Sequence, residues 1–190
     1  NAYFSDPYNN RYSAWLPPIS VERIISFPPQ LVTNKSDLKQ ASGLFPEISY
    51  YWRINGSQLY LWSYKLKSDL VLPNDFSQQI IHVHLANAVK GVFDETVTHV
   101  LVVTTKIEIV VYPLQYLPEK GIAIKGAPIR QPTSNLDVLC IASTKSGRIF
   151  FGCVDNDIYE FDYSYNYNFF YQMLGYSSRG QIANRTGYLL

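Results

Sequence analysis

Short apolar runs separated by polar turns dominate the chain from Tyr50 onward. The first two runs are Tyr50–Ile54 and Leu59–Tyr64, and Asn55-Gly56 opens the turn that separates them. Asn-Gly is the strongest short hairpin signal, because both residues accept a positive φ angle. The pattern therefore predicts a strand, a tight turn and a second strand.

This two-strand unit recurs twice further along the chain. In the second unit His99–Thr104 is followed by Ile107–Tyr112, and in the third Arg148–Cys153 is followed by Ile158–Tyr163. The second strands of the three units begin at residues 59, 107 and 158, so the steps are 48 and 51 residues. A repeat of this length built of consecutive strands is typical of β-propeller blades.

An additional apolar strand precedes the second and third units, at Ile80–Leu85 and Val138–Ser143. Val100–Val103 is apolar without interruption, which indicates a strand buried on both faces between neighbouring sheets. Closed propellers have about four to eight blades, whereas this chain offers about three, so the ring is incomplete. The predicted fold class is all-β, a partial β-propeller whose incomplete blades occupy residues 50–190.

Residues 1–49 differ from the rest of the chain. They contain six prolines and show no sustained alternation of apolar and polar positions. Proline removes the backbone donor that a central strand needs, so we expect an extended arm that lies along a surface. A short helix is predicted at Pro29–Gln40, because proline suits a first helical turn and Gly43 follows the helix end.

Composition favours a β fold and argues against several function classes. The chain has 16 Tyr and 10 Phe, and aromatic residues suit a pleated, half-buried surface. Its net charge of +1 supplies no broad positive field, so no direct nucleic-acid binding is expected. The apolar runs fall far short of the roughly 20 residues that cross a bilayer. Because Asn1 opens the chain without an apolar leader, we interpret it as an internal fragment.

Two cysteines, Cys140 and Cys153, are too few for a disulfide framework and indicate buried intracellular thiols. A hairpin that turns at Lys145-Ser146 would place Cys140 opposite Phe151 and Cys153 diagonal to it. Directly opposed positions favour a disulfide, so this register argues against one.

Three Asn-x-Ser/Thr triplets begin at Asn34, Asn55 and Asn184. They would accept glycans only in a secreted chain, and they arise by chance in a sequence rich in Asn and Ser. With the many aromatics, they leave one alternative function open. That alternative is a secreted or lumenal β-propeller that binds a glycan or a receptor.

Histidines provide the only constellation that suggests catalysis. Alternation places His82 and His84 on one strand face, and His99 from a neighbouring strand could complete a zinc site with an open water position. Alternatively, the first two face an inter-sheet layer or solvent and His99 only begins a strand. No phosphate-binding loop, nucleophile elbow or Cys-His pair is visible.

The turn around Asp155-x-Asp157 resembles part of a calcium loop but lacks its glycine and its closing glutamate. A solvated turn is the simpler interpretation. We therefore predict that the chain is not an enzyme and has no catalytic residues, no metal site and no cofactor.

Residues 164–190 form a candidate surface loop that is rich in aromatics and poor in charge. If helical, Phe169 and Met173 together with Phe170 and Leu174 would form one apolar stripe, opposite Ser, Asn and Gln. Such a stripe is one way to contact a bilayer surface or a partner protein. Alternatively, Tyr165–Tyr171 begins the next outer strand or packs against a blade.

A conjunction of motifs is more specific than the repeat. The segments are Gly43-Leu44-Phe45-Pro46-Glu47-Ile48, Leu59–Tyr64 with Trp62 inside it, Ser146–Phe150 with Gly147, and Asp157–Glu160 with Tyr159, followed by Tyr163. In order and separation they resemble the N-terminal β-propeller of the large inner-ring nucleoporins, the scaffold class without FG repeats, from about Val21 to Tyr163. That family usually has Gly where Asn156 stands, and Asn keeps the hairpin because it tolerates left-handed conformations.

The resemblance implies a seven-bladed propeller followed by an α-helical solenoid, which this chain lacks. It implies a structural component of the nuclear pore complex inner ring that supports nucleocytoplasmic transport of protein and mRNA. The expected partners are linker and inner-ring scaffold nucleoporins, and the expected location is the nucleus, at the nuclear pore complex of the nuclear envelope. Some family members carry a membrane-sensing propeller loop, so the aromatic stripe of residues 164–190 is a candidate contact with the nuclear membrane or a partner.

Overall fold

The computed structural model describes residues 41–72, 76–164 and 181–189. In these ranges thirteen β-strands form three antiparallel sheets, and the helices are single turns at Pro46–Ile48 and Thr186–Leu189. No helix in the described part of the chain is long and apolar enough to span a bilayer. The predicted class, an all-β partial propeller, is confirmed.

The first sheet has four strands in sequential order: β1 (Ser42–Phe45), β2 (Tyr50–Asn55), β3 (Gln58–Ser63) and β4 (Ser68–Val71). Its central hairpin turns at Gly56, whose φ is 60°, and Asn55 still pairs with Gln58 as the last rung of the ladder. Glycine at the first turn position is typical of a type II′ hairpin. The hairpin is therefore present, with its turn one residue later than Asn-Gly suggests.

The boundary expected between residues 49 and 50 is wrong, because β1 already belongs to the first sheet. Ser42 pairs with Arg53 and Phe45 with Tyr50. Four residues that include a glycine and precede a proline give no alternation signal, and their pairing depends on the apolar strand that follows. The rest of the predicted arm, with its helix at Pro29–Gln40, lies outside the described residues.

The second sheet contains five strands: β5 (His82–Asn87), β6 (His99–Thr104), β7 (Glu108–Leu117), β8 (Gly121–Ile124) and β9 (Ile129–Pro132). β5, β6 and β7 pair in sequence, and the long β7 then carries two short partners on its outer side. Its first half pairs with β9, and its second half pairs with β8.

The third sheet has the order β10 (Val138–Ser143), β11 (Ile149–Cys153), β12 (Ile158–Asp162) and β13 (Gln181–Asn184). Its outer strand β13 pairs with β12 from Asp162–Gln181 to Tyr159–Asn184. The candidate surface loop at 164–190 is therefore wrong for residues 181–184, which are a blade strand. A four-residue strand beyond a long polar and aromatic stretch has no distinct pattern of its own.

The repeat is more regular in the structure than in the sequence. The corresponding strands β3, β7 and β12 begin at residues 58, 108 and 158, so each unit is 50 residues long. The inner strands expected at Ile80–Leu85 and Val138–Ser143 are β5 and β10. The described part of the chain thus contains three successive blade-like sheets.

Two core layers separate the three sheets, and the middle sheet contributes to both. Leu101 and Val103 of β6 pack with the first sheet, where Leu61 is fully buried. Val100 and Val102 point to the opposite side and pack with the third sheet. Alternation along a strand therefore explains why β6 is apolar without interruption.

Candidate interaction surface

The three histidines form bonds within the fold rather than a common site. The His82 ring donates to the Val138 carbonyl at 2.9 Å, and the His84 ring shares a hydrogen bond with Ser143 Oγ at 2.9 Å. His99 pairs with Asn87 at the far end of the β5–β6 ladder. Burial lowers the pKa of both His84 and His99, which favours neutral rings. Among the described residues no His, Cys, Asp or Glu side chains are grouped to hold a metal ion.

The acidic turn after β11 uses its carboxylates internally. Asp155 accepts a hydrogen bond from the Asp157 backbone amide at 3.0 Å and from the Tyr159 hydroxyl at 2.7 Å. The hydrogen bond from Tyr159, which is the largest cause, and the bond from the Asp157 amide lower the pKa of Asp155. Asp157 accepts from Asn184 Nδ2 at 2.7 Å and from Thr186 Oγ1 at 2.9 Å. Asp155 therefore holds the turn together, and Asp157 fastens it to the strand β13 and the residues that follow.

The register predicted for the cysteines is wrong by one residue. Cys140 lies opposite Gly152, because the hairpin is centred on Ser146, with Ser143 paired to Ile149, rather than between Lys145 and Ser146. Both thiols are free, with Cys140 exposed and Cys153 buried. Burial, the largest cause, raises the pKa of Cys153 to about 11, so this thiol is unreactive at neutral pH.

The first family motif builds the inner edge of the first sheet. Gly43 lies under the Trp52 indole, where an added Cβ would come within 2.8 Å of the ring. Phe45 is buried and stacks on Trp52, with ring centroids 6.0 Å apart. Pro46 begins the single-turn helix, whereas Leu44 is exposed. Gly43, Phe45 and Ile48 thus serve packing, whereas Leu44, Pro46 and Glu47 are exposed.

The other residues of the family motifs also have structural roles in the sheets. Trp62 of β3 is 5% exposed and pairs with Tyr51. Gly147 has a φ of 91° in the turn between β10 and β11, and Tyr159 bonds to Asp155 as described above. The candidate contact residues Phe169, Phe170, Met173 and Leu174 lie outside the described residues.

The buried carboxylate at the end of the Asp157–Glu160 motif ties the third sheet together. Glu160 accepts from Arg148 Nε at 2.6 Å and from Arg185 Nε at 2.9 Å. The hydrogen bond from Arg148, which is the largest cause, and the bond from Arg185 lower the pKa of Glu160. Arg185 follows β13, and its backbone amide also bonds to the Ile158 carbonyl at 2.7 Å. These contacts fix the chain's return to the sheet.

Replacing Glu160 with glutamine is expected to cost about 1 kcal/mol at pH 7, because both arginines are partly exposed and solvent screens them. Because the pKa of Glu160 is lower in the folded protein, its ionised carboxylate stabilises the fold fully above the ordinary pKa of 4.5. This stabilisation is lost as the pH falls through the folded-state pKa. Urea unfolding should therefore show the wild-type advantage shrinking below about pH 5. The exposed Glu119→Gln is the control, and an equal loss there would contradict the ion-pair assignment.

A concave surface lies between two connections of the second sheet. It is lined by residues of the 92–97 and 125–130 segments and has a volume of about 1060 Å³. We call it the rim groove. Nothing in the sequence singled it out, since its apolar residues are scattered through short loops. The closest available signal was the Val92-Phe93 pair in the connection between β5 and β6, together with Gly126 and Pro128.

Other large apolar side chains are exposed singly. Ile81, Ile107, Leu139 and Val154 are more than a third exposed. Ile81 bonds through its amide to the Thr104 carbonyl, so it lies at the sheet end that carries the β6–β7 turn. Scattered exposed apolar residues are normal on protein surfaces and require no partner. The rim groove is the more specific candidate because it is concave.

A family model described as "Nup133 N terminal like" matches residues 14–175 of the chain. The chain belongs to this nucleoporin family. It is 32% identical over 171 residues to nucleoporin NUP170 of Chaetomium thermophilum, which covers 86% of this chain and 12% of that protein. It is 32% identical over 130 residues to nuclear pore complex protein Nup154 of Drosophila melanogaster, covering 64% of this chain and 9% of that one.

A probable nucleoporin of Schizosaccharomyces pombe is 28% identical over 155 residues, which covers 80% of this chain and 12% of that protein. Among solved structures, the crystal structure of a Chaetomium thermophilum Nup170 NTD–Nup53 complex matches with a TM-score of 0.67 and 32% identity. That match covers 78% of this chain and 21% of the other chain. This nucleoporin chain therefore spans an eighth or less of the curated relatives.

These comparisons confirm the resemblance to the inner-ring nucleoporins and the predicted location at the nuclear pore complex of the nuclear envelope. A secreted or lumenal location is therefore wrong. The three glycosylation triplets are explained by composition, and the amide of Asn184 is engaged by Asp157 in the acidic turn.

Proposed function

We propose that this nucleoporin chain is a scaffold part of the nuclear pore inner ring, where its β-sheets bind segments of linker nucleoporins. The observation that carries the proposal is the likeness, at 32% identity, to a Nup170 domain crystallised with Nup53. A rigid stack of sheets suits this role, because fixed surfaces lower the entropy cost of binding a flexible partner. The proposal includes no catalytic role, since the histidines and aspartates considered above bond within the fold.

Crosslinking of the endogenous full-length protein in isolated nuclear envelopes tests the scaffold role. Lysine crosslinks from within this chain, for example from Lys125 or Lys106, should join it to linker and inner-ring nucleoporins. Crosslinks that reach nucleoporins only from other parts of the protein would contradict the proposal for this chain.

We also propose a peripheral contact with the nuclear membrane through Phe169, Phe170, Met173 and Leu174. The sequence pattern supports it, because these four side chains share one face of a helical repeat while the opposite face is polar. The two ends of this segment are held together by the Asp162–Gln181 pair of β12 and β13. Segments that connect blade strands are common places for binding residues.

Vesicle flotation measures this contact. We expect the protein to float with small vesicles more than with large ones, and Phe170→Asp to abolish the difference because a charge enters the apolar stripe. Asn168→Asp adds the same charge on the opposite face and should leave flotation unchanged. Equal behaviour of the two variants would refute the membrane contact.

A further inference from the structure

The walls of the rim groove are mainly apolar, and residues in both walls pack against the core beneath them. Phe93 stacks on Tyr163 with ring centroids 5.9 Å apart, and Ile129 is buried in the core between the second and third sheets. Local hydrogen bonds also fix the conformation of the 92–97 segment, which is the first wall. They run from the Val97 amide to the Asp94 carbonyl and from the Thr96 amide to the Asp94 carboxylate. The groove is therefore preformed, which favours binding without large rearrangement.

The charges at the groove are arranged at its two sides. Asp94 belongs to the first wall and Lys125 to the second. Hydrogen bonds from Thr96, the largest cause, and the charge of Lys125 lower the pKa of Asp94, so the carboxylate is ionised at neutral pH. Arg130 is already paired with Glu108 at 2.8 Å. A ligand would therefore meet an apolar channel with a negative charge on one side and a positive charge on the other.

The size and chemistry of the groove favour a peptide over a small molecule. Its volume of about 1060 Å³ is at the upper limit of the roughly 300–1,000 Å³ that small-molecule sites enclose. Small-molecule sites also need several convergent buried polar groups, whereas here the polar groups are exposed at the edges. Extended peptides bind such surfaces through one or two apolar anchors and flanking charges.

We propose that the rim groove docks an extended peptide segment with an apolar anchor side chain, an acidic residue facing Lys125 and a basic residue facing Asp94. This rests on the proposed function, in which the partner is a linker nucleoporin. The anchor enters between Phe93 and Pro128, and the two charges set the direction of the peptide.

The test measures binding of purified Nup53 from Chaetomium thermophilum to the full-length protein by isothermal titration calorimetry. Ala127→Trp fills the groove, and Lys125→Glu reverses the charge on one side. Each should weaken binding about tenfold or more, as expected for contacts at an anchor site. Lys106→Glu is the matched control, because it makes the same charge reversal at the opposite end of β6. Unchanged melting temperatures will show that the variants are folded.

The outcomes separate the docking site from the function. Wild-type binding that both groove variants weaken, with the Lys106 variant unaffected, supports the groove as the site. Wild-type binding that neither groove variant changes would overturn the docking site and leave the scaffold function intact. No binding by the wild-type protein would count against both. If sedimentation instead shows a self-association that Ala127→Trp abolishes, the occupant is a second copy and the peptide assignment is wrong.

Discussion

Replacement of Gly147 with alanine is expected to lower the unfolding free energy by about 3 kcal/mol. Its φ of 91° is a conformation that costs an L-residue roughly 1–2 kcal/mol. An added Cβ would also lie 2.6 Å from the Asn87 carbonyl oxygen and 3.0 Å from the Val89 amide nitrogen. Because both neighbours are backbone atoms, the third sheet must move away from the second, which adds a cost of about 1–2 kcal/mol.

Thermal unfolding measures the effect, since about 1 kcal/mol corresponds to roughly 2–4 °C in a domain of this size. Gly91→Ala is a matched control, because Gly91 has a φ of 82° but nothing lies within 4 Å of its added Cβ. Gly91→Ala should therefore lose only the free energy that an L-residue needs to adopt a positive φ. If the two variants lose the same stability, the close approach of the two sheets at Gly147 is not as described.

The repeat could be predicted from sequence because its strands are long, apolar and closed by recognisable turns. β6 shows this most clearly, since its side chains alternate between two cores and therefore give a continuous apolar run. The position of β1 could not be predicted, because a strand of four residues is determined by its partner strand rather than by its own pattern. The same holds for β13, which is defined by its pairing with β12 and whose end is held there by the bonds of Arg185 and Thr186.

Register was less predictable than the presence of strands. The cysteine pairing failed because the β10–β11 hairpin turns through three residues, with Gly147 at a positive φ, so each partner from Cys140 to Ser143 differs by one residue from the pairing of a two-residue turn. The histidines were placed correctly on β5, but their partners Val138 and Ser143 come from another sheet. The rim groove was unpredictable for a similar reason, since its two walls are separated in sequence and meet through the pairing of β7 with β6 on one side and with β8 and β9 on the other.

Replacement of Tyr163 with phenylalanine is expected to cost about 2 kcal/mol at pH 8, because the Val89 amide loses a buried acceptor. The hydroxyl accepts from that amide at 2.9 Å and lies 3.3 Å from the Gly147 carbonyl, to which it donates. It thereby joins the second and third sheets at the point where Gly147 approaches Val89. The ring itself is retained, so its stacking on Phe93 should persist.

The pH dependence of this difference distinguishes a buried hydroxyl from a general packing effect. Burial, the largest cause, raises the pKa of Tyr163 to about 12 from its ordinary value of 10.0. Because the pKa of Tyr163 is higher in the folded protein than in the unfolded chain, the neutral hydroxyl contributes its full stabilisation below the unfolded-state pKa. This stabilisation is lost as the pH rises through the folded-state pKa. The wild-type advantage over Tyr163→Phe should therefore decline between about pH 10 and 12. The Cys153 thiol, whose pKa is also raised, is common to both proteins and cancels in the comparison. A difference that stays constant up to pH 12 would show that the hydroxyl is not buried between the sheets.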